Sequence, residues 1–181
     1  MRNVLMLALL TAGPAAATGL EIEVAGEANG TIMIDLFEDV APNHVEQITA
    51  LAGEGAYDGV VFHRVIDGFM AQTGDVEFGL ASGDLRQAGT GGSSRPDLEA
   101  EFSDRSFARG TVGMARSSDP DSANSQFFIM FDAAPHLDGQ YTVVGEVTEG
   151  LEILDAIKRG TGGNGAVVGE ADVMQSVTVA E

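Results

Sequence analysis

Cysteine is absent from this chain of 181 residues. That excludes a disulfide framework, a thiol nucleophile and any cysteine-based metal site. Basic residues are scarce. Nine Lys+Arg stand against 28 Asp+Glu, a formal net charge of −19, and Lys158 is the single lysine. A surface of that sign repels phosphate backbones and anionic lipid, so neither nucleic acid nor a membrane surface is an expected partner. The acidity reads as a solvated, soluble surface.

Other sets are missing too. Gly89-Thr90-Gly91-Gly92-Ser93 is glycine-rich but lacks G-x-x-x-x-G-K-[ST], so it reads as a mobile loop and not as a phosphate cradle. The histidines His44, His63 and His136 form no H-E-x-x-H and no cluster with metal-ligand spacing. G-x-S-x-G is absent, which removes the esterase elbow, and no spacing pairs Ser117 or Ser125 with a histidine. The expectation is no metal and no cofactor. Long apolar runs are also lacking: Val4–Leu10 falls far short of the ~20 residues that span a bilayer.

What that short run does resemble is an export signal. Arg2, the apolar Val4–Leu10, then Thr11, Gly13, Pro14 and Ala15-Ala16-Ala17 follow the order of a secretory signal peptide. The alternative is an uncleaved anchor. The reading is residues 1–17 as signal peptide, cut after Ala17, and residues 18–181 as one domain. Hydrophobic residues at 44% and charged residues at 20% suit a single domain with a real core. The expected location is the periplasm or the medium.

Leu20, Ile22 and Val24 alternate with polar residues, as do Ile32, Ile34 and Leu36, and Asn29-Gly30 between them marks a hairpin. Asn29-Gly30-Thr31 also fits a glycosylation acceptor, but the turn explains it. Pro42 opens a helix with Val45, Ile48 and Leu51 on one face, and Gly53 closes it. A second helix is expected from Leu151 to Arg159, with Lys158-Arg159 at the negative pole and Gly160 as stop. Strands are expected at Val60–Ile66, Thr111–Ala115, Gln126–Phe131, Tyr141–Val147 and Val173–Val179. Thr73 to Asp104 reads as a long surface loop. Many short strands with two helices argue for an all-β antiparallel barrel or sandwich.

Two segments carry more. One is Phe62-His63-Arg64-Val65-Ile66-Asp67-Gly68-Phe69-Met70-Ala71-Gln72-Thr73-Gly74-Asp75. The other is Met114-Ala115-Arg116 with Asn124-Ser125-Gln126-Phe127-Phe128-Ile129-Met130. Together they resemble the two signature segments of the cyclophilin-type peptidyl-prolyl cis–trans isomerases. The similarity runs from about residue 30 to the C-terminus and includes Leu137-Asp138-Gly139-Gln140-Tyr141-Thr142-Val143-Val144-Gly145. The resemblance implies a closed eight-stranded antiparallel barrel capped by two α-helices.

It also implies chemistry. Rotation about a peptide bond meets a barrier of ~18–20 kcal/mol because conjugation is lost. As an X–Pro bond twists, the proline nitrogen gains a lone pair, and a fixed cation aimed at it favours the twisted state over both planar ones. Arginine is always charged and multi-pronged. By the match, Arg64 is the catalytic cation, and Gln72 binds the carbonyl before proline and orients Arg64. The proline ring sits among Phe69, Met70, Phe128 and Leu137. Gln126 and the backbone of Ala115 and Arg116 bind the peptide. Phe127 faces away from Phe128 and belongs to the core. His136 stands where well-known members carry tryptophan, and Tyr141 where they carry histidine. Weak cyclosporin binding and retained activity are expected, with Tyr141 keeping the pocket wall. Arg116 stands where Asn is frequent, and only its backbone is needed. The implied partners are proline-containing segments of folding proteins, the implied state a monomer. The alternatives are a module that binds such segments without turnover and a hydrolase built on His63 and Asp67. The loop at 76–95 looks extended and carries Glu77, Asp84 and Arg86.

Overall fold

The computed structural model describes residues 18–180, so the export-signal reading lies outside the described residues. The first two strands, β1 (Gly19–Ala25) and β2 (Gly30–Leu36), pair antiparallel with Ile22 opposite Ile32. Their alternation is real: Leu20, Ile22, Val24, Ile32, Ile34 and Leu36 are all buried. The turn differs from a two-residue Asn-Gly hairpin. Val24 pairs with Gly30, which leaves five residues in the loop, and Asn29 Nδ2 closes it on the carbonyl of Gly26 at 2.8 Å.

Helix α1 (Pro42–Gly53) buries Val45, Ile48 and Leu51 in the main core. No side chain of its own caps it; Glu101 does so from the distant loop. The Glu101 carboxylate accepts from the backbone N–H groups of Asn43 (3.2 Å) and His44 (3.1 Å) and contacts His44 Nδ1 at 2.6 Å. Burial pushes the Glu101 carboxyl up, but these bonds outweigh it and hold it below its ordinary value. The helix ends at Gly53 as expected, and the left-handed residue that completes the stop is Gly55. Gly55 takes φ 68°, and the N–H groups of Gly55 and Ala56 return to the carbonyls of Ala52 and Leu51, a pattern that wants glycine at the left-handed position.

The remaining elements are β3 (Val60–Val61), β4 (Arg64–Ile66), β5 (Met70–Thr73), β6 (Thr111–Met114), β7 (Phe127–Met130), β8 (Val143–Glu149), α2 (Leu151–Ala156) and β9 (Val173–Ala180). They form one antiparallel sheet in the order β3-β9-β1-β2-β8-β6-β7-β5-β4. That is nine strands where eight were expected. The two outermost, β3 and β4, are consecutive pieces of one stretch separated only by Phe62 and His63. The expected strand Val60–Ile66 is thus broken where the chain leaves β9 for β5, and the break joins the two ends of the sheet. β5 was not expected as a strand; it lay inside the motif.

Helix α2 is shorter than expected, ending at Ala156 with Ile157 extended. Lys158 and Arg159 therefore do not sit on its last turn. The chain is captured instead: Ile157 is buried, the Lys158 N–H donates to Asp172 Oδ2 at 2.7 Å, and the Gly160 N–H to the carbonyl of Val65 at 2.8 Å. Phe127 and Phe128 do face opposite ways. Phe127 lies in the main core with Tyr57 and Ile129, whereas Phe128 belongs to a second cluster with Phe37, Met70, Phe107, Met130, Leu137 and Val143. That second cluster is the floor under the site.

Candidate active site

Adjacent strands bring the two motifs together. Arg64 on β4 is opposite Gln72 on β5, and Gln72 is opposite Phe128 on β7. One face of the sheet therefore carries a cation, an amide and an aromatic ring in a row. Around them lies an open apolar pocket of about 160 Å³, lined by Arg64, Phe69, Met70, Gln72, Ala115, Arg116, Phe128, Leu137 and Tyr141. Every one of these residues was singled out from the sequence. Two other candidates sit elsewhere. His136 is exposed on the short turn Pro135–Leu137 and stacks on Phe69 with ring centroids 5.9 Å apart, at the rim. Gln126 lines a neighbouring, more polar pocket of about 500 Å³ together with Gln72, Gly91, Ala115, Arg116 and Asn124.

The pocket walls are braced by stacking. Phe128 stacks on Phe107 at 5.7 Å and meets the edge of Tyr141 at 5.8 Å. The Arg116 guanidinium lies 4.3 Å above the Tyr141 ring and donates to the carbonyls of Gln140 (2.9 Å) and Ser117 (2.9 Å). The expectation that only the backbone of Arg116 is needed is thereby amended: its side chain pins one wall.

Polar side chains form a continuous line behind the pocket. Arg64 Nη1 donates to Gln72 Oε1 at 3.0 Å, Gln72 Nε2 to Gln126 Oε1 at 2.9 Å, and Gln126 Nε2 to the carbonyl of Gly91 at 2.8 Å. Asp75, fully buried, anchors the far end. Its carboxylate accepts from the N–H groups of Glu77, Phe78, Gly89 and Gly91 at 3.1, 2.9, 2.7 and 3.1 Å. The glycine-rich stretch is thus pinned to the barrel, contrary to the mobile loop expected from composition alone.

On its other side, Arg64 Nε donates to the carbonyl of Asn164 at 3.0 Å and Nη2 to Asn164 Oδ1 at 3.2 Å. Asn164 was missed in the sequence. Its only signal was to be, with Thr161, one of two larger residues in the glycine-rich run 160–165. Burial holds the Arg64 guanidinium below its ordinary value, with Tyr141 opposing, yet an arginine stays protonated at physiological pH.

The competing sets do not assemble. His63 is buried behind Arg64, packed against Gly89, and Asp67 is exposed and paired with Arg159. Ser125 is buried and donates to the carbonyl of Gly74. Among the described residues no group of His, Asp and Glu is placed to hold a metal ion. What the site can do is hold a small apolar ring beside a fixed cation.

Comparison with known proteins gives the family. Residues 20–179 match the family model described as cyclophilin type peptidyl-prolyl cis-trans isomerase. The chain is 56% identical over 153 residues to a probable peptidyl-prolyl cis-trans isomerase of Brucella suis, covering 83% of this chain and 78% of the relative. It is 42% identical over 133 residues to a peptidyl-prolyl cis-trans isomerase of Helicobacter pylori, covering 72% and 76%. A crystal structure of a cyclophilin type peptidyl-prolyl cis-trans isomerase from Cryptosporidium parvum superposes with a TM-score of 0.78 at 23% identity, over 92% of this chain and 99% of that one. At that identity the likeness speaks for the fold. A cyclophilin from Hirschia baltica superposes with a TM-score of 0.70 at 25% identity, over 88% and 73%.

Proposed function

The chain belongs to the cyclophilin-type peptidyl-prolyl cis–trans isomerases, and from that premise we propose that Arg64 is the group that lowers the rotation barrier. The enzyme acts on the bond before proline in peptide segments. The carrying observation is the pairing of an apolar pocket of about 160 Å³ with a guanidinium in its wall. Phe128, Phe69, Met70 and Leu137 hold the pyrrolidine ring still. Gln72 meets the carbonyl before proline and steadies Arg64. The preceding residue then turns against a fixed ring. As the imide twists, its nitrogen lone pair forms opposite the Arg64 charge, and that attraction is absent in either planar state. Only such differential binding raises turnover. No bond is made or broken except partial conjugation, so no nucleophile is required.

The N-terminal Arg2 and Val4–Leu10 pattern supports export, and the clients are then proline-containing segments of exported proteins during folding. With His136 in place of an indole donor, cyclosporin binds weakly. Two measurements test this reading. A protease-coupled assay on an X–Pro peptide gives acceleration; binding of the peptide without acceleration assigns a holding module instead. N-terminal sequencing of the protein from a fractionated cell gives a start at or near Thr18 outside the cytoplasm; an intact Met1 in the cytoplasm contradicts export.

A further inference from the structure

We propose that Asn164 is a positioning residue for the isomerisation, gripping Arg64 with neutral acceptors so that the guanidinium keeps its charge for the substrate. This rests on the role given to Arg64 above.

Asn164 is the one non-glycine residue with positive φ among the described residues (φ 55°, ψ 30°). Glycines occupy positions 160, 162, 163 and 165 around it. A left-handed backbone disfavours every side chain, although asparagine tolerates it better than most. Glycine is the easier choice there, and the chain uses it on both sides. What asparagine adds is an amide, and that amide is bonded to Arg64.

The turn itself is built onto β4. Gly160 N–H donates to the carbonyl of Val65 at 2.8 Å, Ala166 bridges to Arg64, and Gly162 N–H donates to the carbonyl of Ala166 at 2.9 Å. A Cβ on Gly165 would run into Ile66, which seats the turn hard against the strand. Asn164 thereby meets two edges of the guanidinium fork, at Nε and Nη2, while Gln72 Oε1 takes Nη1 and Met70 Sδ lies 4.0 Å from it.

Every one of these acceptors is uncharged. Among the described residues no carboxylate lies within 4.0 Å of Arg64, nor of Arg105 and Arg116, which lie over the rings of Phe37 and Tyr141, whereas Arg86, Arg95, Arg109, Lys158 and Arg159 each pair with one. In a chain with 28 acidic residues, supply does not explain a guanidinium bonded on three nitrogens to neutral acceptors alone. A carboxylate would hold the fork more tightly, since charge-assisted bonds are the stronger ones. It would also cancel the positive field over the pocket. The neutral grip fixes the cation and leaves that field intact.

The test uses the wild type, Asn164→Gly, Asn164→Asp and Arg64→Ala in the protease-coupled assay, with circular dichroism and thermal melts alongside. Asn164→Gly keeps the backbone geometry and removes only the side-chain acceptor. Asn164→Asp keeps an acceptor and adds a charge. The expected result is a kcat for Asn164→Asp lowered at least about tenfold with KM within about twofold and an unimpaired melt. Asn164→Gly should lose less, again in kcat. A purely structural clamp reverses that order, because Asp holds arginine better than a missing side chain. A kcat for Asn164→Asp at or above that of Asn164→Gly overturns the inference. If Asn164→Asp does not fold, wild-type kcat in Asn164→Gly overturns it. Unchanged turnover in Arg64→Ala overturns the role of Arg64 itself; loss there with normal turnover in both Asn164 variants overturns only the neutral grip.

Discussion

Adding one methyl group behind the pocket, Gly113→Ala, should close the pocket from below. Gly113 sits on β6 opposite Phe128 on β7. A Cβ there would lie 2.5 Å from Phe107 Cε1 and 2.7 Å from Phe128 Cζ. Ordinary carbon contacts lie at about 3.5–4.0 Å, so the rings must give way by roughly 1 Å. Phe107 is buried within the second cluster and only 1% exposed, so it has nowhere to go. Phe128, at 6%, borders the pocket and can move only into it. Overpacking of this kind costs about 1–3 kcal/mol. At about 2–4 °C per kcal/mol for a domain of this size, the melt should fall by several degrees. The proline ring meanwhile loses room in a pocket of about 160 Å³. A mismatch of one methylene in an apolar pocket is worth about 1–3 kcal/mol, which is roughly a 5- to 160-fold rise in KM. Arg64 and Gln72 stand on other strands, so kcat should change less. Steady-state kinetics on an X–Pro peptide and a thermal melt check both halves. A lowered melt with normal KM would place the displaced ring elsewhere, and no change in either would refute the packing argument.

Two further outcomes follow from buried groups. Burial lowers the His63 pKa from its ordinary value, with Asp75 opposing and Arg64 reinforcing. The unfolded chain then takes up a proton that the folded one resists. Stability contributed here is complete above about pH 6.5 and declines as the pH falls below it. The melt of the wild type should therefore drop more steeply between pH 7.5 and 5 than that of His63→Gln; parallel curves would contradict it. Asp75→Ala strands four backbone donors, of Glu77, Phe78, Gly89 and Gly91. These donors are half-buried or, at Glu77, exposed, so water replaces part of what is lost, and the loss should be about 1–3 kcal/mol in denaturant. Amide exchange at Gly89 and Gly91 should quicken with it, and unaltered exchange would show that the loop is held by other means.

The apolar half of the site was legible because strand period and motif coincide. Phe127 and Phe128 are neighbours in sequence, so they had to face opposite ways, and they do. Arg64, Gln72 and Phe128 were recognisable by the resemblance, and strand pairing explains why they meet. What stayed hidden depends on contacts between distant segments. The end of α2 at Ala156 is set by Asp172 and Val65, which lie far along or across the sheet, and no helix propensity reports them. The glycine-rich loop looked mobile because its anchors, Asp75, Asn124 and Gln126, are side chains of other segments that bond mostly to its backbone. Asn164 lies 100 positions from Arg64, and nothing local to either announces the pair. Gly53 was legible as the last helical residue, but not that the left-handed turn completing the stop falls at Gly55.

The central claim is that a single guanidinium, held at the pocket wall, supplies the stabilisation of the twisted bond. Its most direct test is kcat for Arg64→Ala, with peptide affinity measured separately by calorimetry and folding verified by circular dichroism. Loss of a preorganised group of this type lowers turnover by roughly 10²–10³, and affinity should stay within a few-fold of wild type. Turnover equal to that of the wild type, in a folded protein that binds the peptide normally, would contradict the claim.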